Sequence, residues 1–185
     1  YVNGAFFPRN EAKVSVFDHG LTVGDGVFET MKVLPGRDGV DHAFALGRHL
    51  DRLDRSQSVL GLAPAIDRAT IQRAVREVIA ANGGPAGNAG RIRITVTGGE
   101  SPLGSGRGTD PATVIIASSA ASPWPPTSHV ALVPYTRNER AATAGVKSTS
   151  YADNVVALRW AADRGADEAI FANTRGELCE GTGSN

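Results

Sequence analysis

The sequence has few of the residues on which several common chemistries depend. Cys179 is the single cysteine, which excludes an internal disulfide and fits a reducing compartment. The four histidines are scattered, with no Cys/His ligand spacing, so we expect no metal site. A G-x-S-x-G nucleophile turn, a G-K-[ST] phosphate loop and internal repeats are also lacking, which disfavours hydrolases of that type, P-loop enzymes and repeat folds.

Charge and hydropathy show no extremes. The 19 basic and 19 acidic side chains cancel to a formal net charge of +0, and 41% of the residues are hydrophobic. This balance gives no electrostatic reason to expect nucleic acid or a membrane as partner. No apolar run is long enough to span a bilayer, so we expect an ordinary globular protein located in the cytoplasm.

Lysine is scarce, and its positions are therefore informative. Of the 19 Lys and Arg residues only Lys13, Lys32 and Lys147 are lysines. A lone lysine is usually a solvated surface charge. Lys147, however, follows the small-residue segment AATAGV and precedes the short polar STSY. This setting suits a lysine that binds an aldehyde cofactor better than a surface side chain.

An acidic, glycine-rich segment, ELCEGTGSN, closes the sequence. We expect Glu180 at the end of a strand, before Gly181 and Gly183, whose missing side chains let backbone N–H groups approach a ligand. A pyridine ring that serves as an electron sink needs a protonated ring nitrogen, and an acid beside it stabilises that form. An exposed turn would explain this segment alone, but its occurrence together with Lys147 favours a cofactor site.

The spacing of apolar residues predicts the main elements. Leu46, Leu50, Leu53 and Leu60 predict a helix with one buried stripe, and a second helix is predicted through residues 71–79. Strands are predicted near 92–96, 114–117, 130–135 and 168–172, with another helix near 154–164. The loop at 98–108 is interpreted as a flexible surface loop in preference to a phosphate cradle.

Prolines divide the chain. We predict an N-terminal α+β domain at 1–120, a proline-rich linker at 121–128 and a C-terminal cofactor-binding domain at 129–185, which carries Lys147 and Glu180.

Six motifs, in order along the chain, resemble the fold-type IV pyridoxal-phosphate enzymes, which include branched-chain and D-amino-acid aminotransferases and aminodeoxychorismate lyase. They are VNGAFF, SVFDHGLTVGDGVFETMKV, RHLDRLDRSQSVLGL, RIRITVTGG, GVKSTSYADNVVAL and GADEAIFANTRGELCEGTGSN. The resemblance implies a two-domain α+β fold, pyridoxal 5'-phosphate as cofactor and a homodimer. Family members continue well beyond the position of the last residue, so the second domain is expected to be incomplete in this chain.

The resemblance also implies roles for cofactor-binding residues. Lys147 would carry the cofactor as an imine and act as the catalytic base, Glu180 would pair with the pyridine nitrogen, and Arg52 would bind the phosphate. For Arg52 a surface ion pair with Asp51 or a neighbouring residue is the alternative. Tyr151 resembles the tyrosine that donates to the phenolic oxygen, although matching it requires a one-residue gap. The turn residues complete the predicted cofactor set: Gly181, Thr182 and Gly183.

Two residues are predicted on the substrate side. Phe28 lies in the segment that the family places at the cofactor cleft. Arg93 lies on the polar face of the predicted strand RIRITVT and falls where branched-chain enzymes carry an arginine near the substrate. A solvent-facing strand position is an equally good interpretation of Arg93.

These features lead to three functional hypotheses. The first is an aminotransferase that moves an amino group between an amino acid or amine and a 2-oxo acid, so that its partners are small molecules. The second is aminodeoxychorismate lyase, which releases pyruvate. The third, from another class, is a non-catalytic homologue that binds pyridoxal phosphate. Val23 stands where branched-chain enzymes usually have a tyrosine, which weakens the case for branched-chain substrates.

Overall fold

The computed structural model describes residues 1–123 and 125–184. Trp124, inside the predicted linker, and Asn185, the last residue of the predicted second domain, lie outside the described residues. The chain divides into two compact units, one formed by residues 1–122 with 145–149 and the other by residues 123–144 with 150–185. Each unit has its own cluster of buried apolar side chains. Among the described residues, no helix combines the length and apolar character needed to cross a membrane.

The first unit contains three helices and four strands. In chain order they are α1 (His19–Thr22), β1 (Gly26–Leu34), β2 (His42–Ala43), α2 (Leu46–Leu60), α3 (Arg68–Ala81), a 3-10 turn (Gly84–Ala86), β3 (Arg91–Thr97) and β4 (Thr113–Ser119). The strands form one antiparallel sheet in the order β2-β1-β3-β4. The sequence-based predictions of both longer helices and of β3 and β4 are therefore confirmed.

The two faces of this sheet differ in character. Val27 pairs with Val96 and Met31 pairs with Ile92, and these side chains belong to the buried cluster shared with α2 and α3. Because side chains alternate along a strand, the residues between them point to the opposite face. The cross-strand pairs on that face include Phe28 with Thr95 and Thr30 with Arg93.

Helix α2 shows why the leucine spacing was informative. Leu50 and Leu53 are each 1% exposed, and Leu46 and Leu60 pack against the same cluster. The helix ends at Gly61, which has φ +65° and whose N–H donates to the carbonyls of Gln57 and Ser58. A residue in this left-handed conformation is the usual way to end a helix, and glycine adopts it without steric cost.

The described residues of the second unit form a three-stranded sheet with one helix. It contains β5 (Val130–Arg137), α4 (Ala152–Ala162), β6 (Glu168–Asn173) and β7 (Leu178–Gly181), in the sheet order β5-β6-β7. Strands β5 and β6 are parallel, and β6 and β7 are antiparallel. The predicted strand at 168–172 and the position of Glu180 near a strand end are confirmed. Helix α4 begins and ends two residues earlier than predicted. Its end is set by Asp163, the C-cap residue, and by Gly165, which adopts φ +75°.

The segment at residues 145–149 groups with the first unit by its contacts. Ser148 forms an antiparallel bridge with Val27, the N–H of Phe28 donates to the Lys147 carbonyl at 2.9 Å, and the N–H of Thr149 donates to the Gly26 carbonyl at 2.8 Å. The sequence-based boundaries placed this segment in the second domain. Its backbone instead extends the edge of β1, so the contact-based units and the predicted domains differ here.

Candidate active site

The lysine proposed as the cofactor anchor lies beside Phe28. Since Val27 pairs with Ser148 in an antiparallel bridge, Lys147 stands opposite Phe28 and on the same face of the sheet. The Lys147 Nζ atom is 4.6 Å from the centroid of the Phe28 ring, within the range of a cation–π contact. The register of β1 therefore directs the lysine amine to the sheet face that does not form the core.

Arg93 reaches the same aromatic ring from β3. Its Cζ atom lies 3.6 Å from the Phe28 centroid, and its Nε donates to Thr95 Oγ1 at 3.2 Å. Phe28 itself is only 5% exposed. The structure thus brings together Lys147, Phe28 and Arg93, three residues that were proposed separately from the sequence. Two cationic groups around one ring form a local positive field that suits a carboxylate.

Arg52 turns inward from α2 to meet an acid on the core face of β1. Its Nε and Nη2 donate to the two carboxylate oxygens of Glu29 at 2.5 and 2.7 Å. Asp51, the alternative partner considered for Arg52, is paired with Arg68 at 2.8 Å. The Arg52 side chain is 38% exposed, so the guanidinium stands at the boundary between the core and the surface.

Glu29, the partner of Arg52, was not singled out from the sequence. Its side chain is 0% exposed, and besides Arg52 it accepts a hydrogen bond from Nδ1 of His49 at 2.7 Å. The sequence did contain a signal: Glu29 lies two residues from both Val27 and Met31, so in a strand its side chain points to the same buried face. An acid at a core position of a strand indicates a buried charge pair.

In the second unit, Glu180 is held by an arginine. The Nε of Arg137 donates to Glu180 Oε1 at 2.8 Å, and the Glu180 side chain remains 48% exposed. The Arg137 Cζ lies 4.2 Å from the centroid of Phe171, which is the cross-strand neighbour of Glu180. Nη2 of Arg137 also donates to Asn154 Oδ1. Arg137, at the end of β5, had no sequence signal beyond its charge.

The turn after Glu180 is organised around a second acid. The backbone N–H groups of Thr182 and Gly183 donate to the Glu168 carboxylate at 3.0 and 3.2 Å, and Ser184 Oγ donates to it at 2.8 Å. Burial raises the pKa of Glu168, but hydrogen bonds from Thr182 and its neighbours outweigh burial and hold that pKa below its ordinary value. A Cβ at Gly181 would meet Ser184 Oγ, so a larger residue there would require the Ser184 side chain to move.

Tyr151 lies directly before α4, at its N-cap position, with φ −100° and ψ 14°, and is half-buried. It belongs to the second unit by its contacts, unlike Lys147. In the part of the chain that the structure describes, no group of three or more His, Cys, Asp or Glu side chains is arranged to hold a metal ion.

The glycine-rich loop at 98–108 is tied to the start of β1 by side chains. Arg107 donates to both oxygens of Asp25 at 2.6 Å, and the His19 ring nitrogens lie 2.9 Å from Asp25 Oδ2 and 2.8 Å from the Gly104 carbonyl oxygen. The hydrogen bond to Asp25, followed by that to Gly104, raises the pKa of His19. The Arg107 guanidinium holds the pKa of Asp25 below its ordinary value. The loop at 98–108, which we expected to be flexible, is therefore anchored at Gly104 and at Arg107.

Known proteins were compared with this chain by sequence and by structure. Residues 26–185 match the family model described as Amino-transferase class IV. The chain is 35% identical over 196 residues to a putative branched-chain-amino-acid aminotransferase of Methanocaldococcus jannaschii, covering 100% of this chain and 63% of that protein. It is 30% identical over 188 residues to the aminodeoxychorismate lyase of Bacillus subtilis, covering 100% of this chain and 62% of that protein.

A solved structure shows the same fold. The branched-chain aminotransferase of Thermoproteus uzoniensis, solved with norvaline, superposes with a TM-score of 0.78 at 28% identity, over 99% of this chain and 62% of that one. The chain belongs to the class IV aminotransferase family, and the α+β fold predicted from the sequence is confirmed. It spans 62 to 63% of the length of these two relatives.

Proposed function

We propose that the protein is a pyridoxal-phosphate-dependent aminotransferase that transfers an amino group between an amino acid or amine and a 2-oxo acid. The observation that carries this proposal is the placement of the Lys147 amine opposite Phe28, with the Arg93 guanidinium on the same ring. A primary amine is the group that binds an aldehyde cofactor. A guanidinium is the group that best binds the carboxylate of an amino or 2-oxo acid.

The residues present fit this cofactor by their chemistry. Lys147 would hold it covalently, Arg52 would bind its phosphate, and Glu180, held by Arg137, would pair with the ring nitrogen. The bound cofactor supplies an electron sink for the substrate α-carbon. The remaining residues proposed to line it are Tyr151, Gly181, Thr182 and Gly183. For Thr182 and Gly183 the backbone donors already serve Glu168, so their contribution would be the shape of the turn.

The proposed acid–base step uses one group of this chain. The Lys147 Nζ would accept the proton of the substrate α-carbon and would later donate a proton, so that one amine would serve as both base and acid. Phe28, at 5% exposure, shields the amine from water on one side. Arg93 orients the substrate carboxylate, which fixes the carbon that is deprotonated.

The lyase is the second candidate, and the Bacillus subtilis relative supports it. It would use the same lysine but release pyruvate. The discriminating experiment supplies the full-length protein with pyridoxal phosphate and measures amino transfer from a panel of D- and L-amino acids to 2-oxo acids, beside pyruvate release from aminodeoxychorismate. Amino transfer supports the leading proposal, and pyruvate release without transfer supports the lyase. Cofactor absorbance without either reaction would support a non-catalytic homologue.

We also propose that the protein lies in the cytoplasm, as its single cysteine suggests, and that it forms a homodimer, as the family resemblance implies. Support comes from large apolar side chains that are exposed along the segment before β1, among them Phe17 at 50% and Leu21 at 68%. Exposed apolar patches mark interaction surfaces. Light scattering of the purified protein gives the test, because a monomer at micromolar concentration would contradict the dimer.

A further inference from the structure

Glu29 is unusual for a residue in the middle of an apolar sheet face. It stands between Val27 and Met31 on β1 and pairs across the sheet with Ile94, all of which are buried in the core. Its carboxylate is nevertheless fully buried and accepts three hydrogen bonds, two from Arg52 and one from His49. Such a charge is tolerated in a core only with this degree of hydrogen bonding.

Stability alone does not account for this acid. Replacing a buried ion pair with apolar side chains of similar volume is often neutral or stabilising. Arg52 is 38% exposed and His49 is 21% exposed, so both side chains reach solvent and neither needs a buried partner to be solvated. What the acid does impose is geometry, because a bidentate contact fixes both the plane and the rotation of a guanidinium.

We propose that Glu29 is a positioning residue that orients Arg52 toward the phosphate of the cofactor. This inference rests on the proposed function, in which Arg52 binds that phosphate. Glu29 engages the Nε–Nη2 edge of the planar guanidinium, so the Nη1 edge is directed away from the carboxylate. An arginine side chain loses considerable rotamer freedom when it binds a ligand. Glu29 removes that freedom before the phosphate arrives, and His49 clamps the same carboxylate from one helical turn earlier.

The test compares two ligands that differ only in the phosphate. Cofactor-free protein is titrated with pyridoxal phosphate and with pyridoxal, and binding is followed by absorbance. Glu29→Gln keeps the size of the side chain but loses its charge and one strong acceptor. We expect it to raise the Kd for pyridoxal phosphate about tenfold and to leave the Kd for pyridoxal unchanged. Glu77→Gln, an exposed glutamate on α3, is the matched control and should change neither value.

The Arg52 variant separates this inference from the proposed function. Arg52→Ala should raise the Kd for pyridoxal phosphate about 10- to 100-fold, and adding Glu29→Gln to it should cause no further loss. An unchanged Kd in Arg52→Ala would overturn the phosphate role itself. A normal effect of Arg52→Ala with no effect of Glu29→Gln would overturn only the positioning role. Equal losses for both ligands in Glu29→Gln would show a merely structural role and would also overturn it.

A measurement on the unaltered protein covers the case in which Glu29→Gln does not fold. The Arg52 Nε–H, assigned in ¹⁵N NMR by its disappearance in Arg52→Lys, should exchange slowly with water before any cofactor is added, because it donates to a buried carboxylate. Fast exchange of this N–H, at the rate of an exposed arginine such as Arg76, would contradict a guanidinium that is fixed in advance.

Discussion

The Glu180 carboxylate is paired with Arg137, and this pair defines the first prediction. Glu180→Gln preserves the shape of the side chain but removes the negative charge that would stabilise a protonated ring nitrogen. We expect turnover to fall far more than cofactor affinity, because the electron sink weakens while the phosphate contact remains.

The matched control is Glu177→Gln, three residues earlier and exposed in the turn between β6 and β7. It should keep the activity of the unaltered protein. Equal activity of Glu180→Gln and Glu177→Gln would refute the role of Glu180.

The buried His19 makes stability depend on pH. Both ring nitrogens face oxygen atoms, of Asp25 and of the Gly104 carbonyl, and the protonated ring donates to both. The pKa of His19 is therefore raised. A raised pKa means that the stabilisation is complete below the unfolded pKa of about 6.5 and is lost as pH rises through the folded pKa.

Urea unfolding at a series of pH values tests this. The free energy of unfolding should decline between about pH 6.5 and the folded pKa, and His19→Gln should lose about 1–3 kcal/mol at the acidic end and show a flatter profile. Asp25, whose pKa is lowered, loses its contribution only at pH values below about 3.9, outside this window. His42→Gln, at an exposed histidine, should retain the original profile, and an identical profile for His19→Gln would contradict this role of His19.

Among individual residues, those whose side-chain chemistry is rare in the chain could be predicted from the sequence. Lys147 is one of three lysines, and Phe28 and Arg93 lie in regular strands whose alternation shows which side chains share a face. Glu29 and Arg137, which pair with the proposed cofactor-binding residues Arg52 and Glu180, were missed. Their roles depend on partners 23 and 43 residues away, and such distances are set by the fold rather than by local pattern.

Helix α2 provides a prediction about an element. Gly61 ends it with φ +65°, whereas Gly47 lies inside its first turn, where an added Cβ would meet no atom of a neighbouring segment. Gly61→Ala should lower the free energy of unfolding by about 1–2 kcal/mol, because an L-residue is strained in the left-handed region. Gly47→Ala should raise it by up to about 1 kcal/mol, because alanine favours a helix.

Thermal unfolding of both variants tests whether Gly61→Ala lowers the stability and Gly47→Ala raises it. The same substitution in the same helix controls for the added methyl group. A Gly61→Ala variant at least as stable as Gly47→Ala would mean that the helix does not need its left-handed end.

The elements themselves were largely predictable, for reasons that differ between them. The leucine stripe of α2 gave both of its ends, since Leu46 and Leu60 are its first and last residues. Helix α4 was displaced by two residues because its buried positions are small or polar, Asn154, Ala157 and Ala161, and give a weak periodic signal. The parallel pairing of β5 with β6 was not predicted, because strand pairing is a tertiary property.

For the whole molecule, the predicted domains and the compact units differ mainly at residues 145–149, the segment that contains Lys147. The proline-rich stretch gave a boundary near residue 122, where the first unit's main segment ends. Residues 145–149 nevertheless return to the first unit, because the edge of β1 offers backbone donors and acceptors that the segment satisfies. The domain assignment at 1–120, 121–128 and 129–185 stays a prediction, since contacts alone do not define how each part folds.

The point at which the cofactor is covalently attached can be located directly. The full-length protein is incubated with one equivalent of pyridoxal phosphate and reduced with borohydride, and the adduct is mapped by peptide mass spectrometry. Peptide mass distinguishes Lys13, Lys32 and Lys147, the three lysines of this chain, from any other point of attachment. We expect a single adduct on Lys147, which lies opposite Phe28, and its loss in Lys147→Arg with the fold preserved. An adduct on Lys13 or Lys32, or an undiminished adduct in Lys147→Arg, would contradict the account.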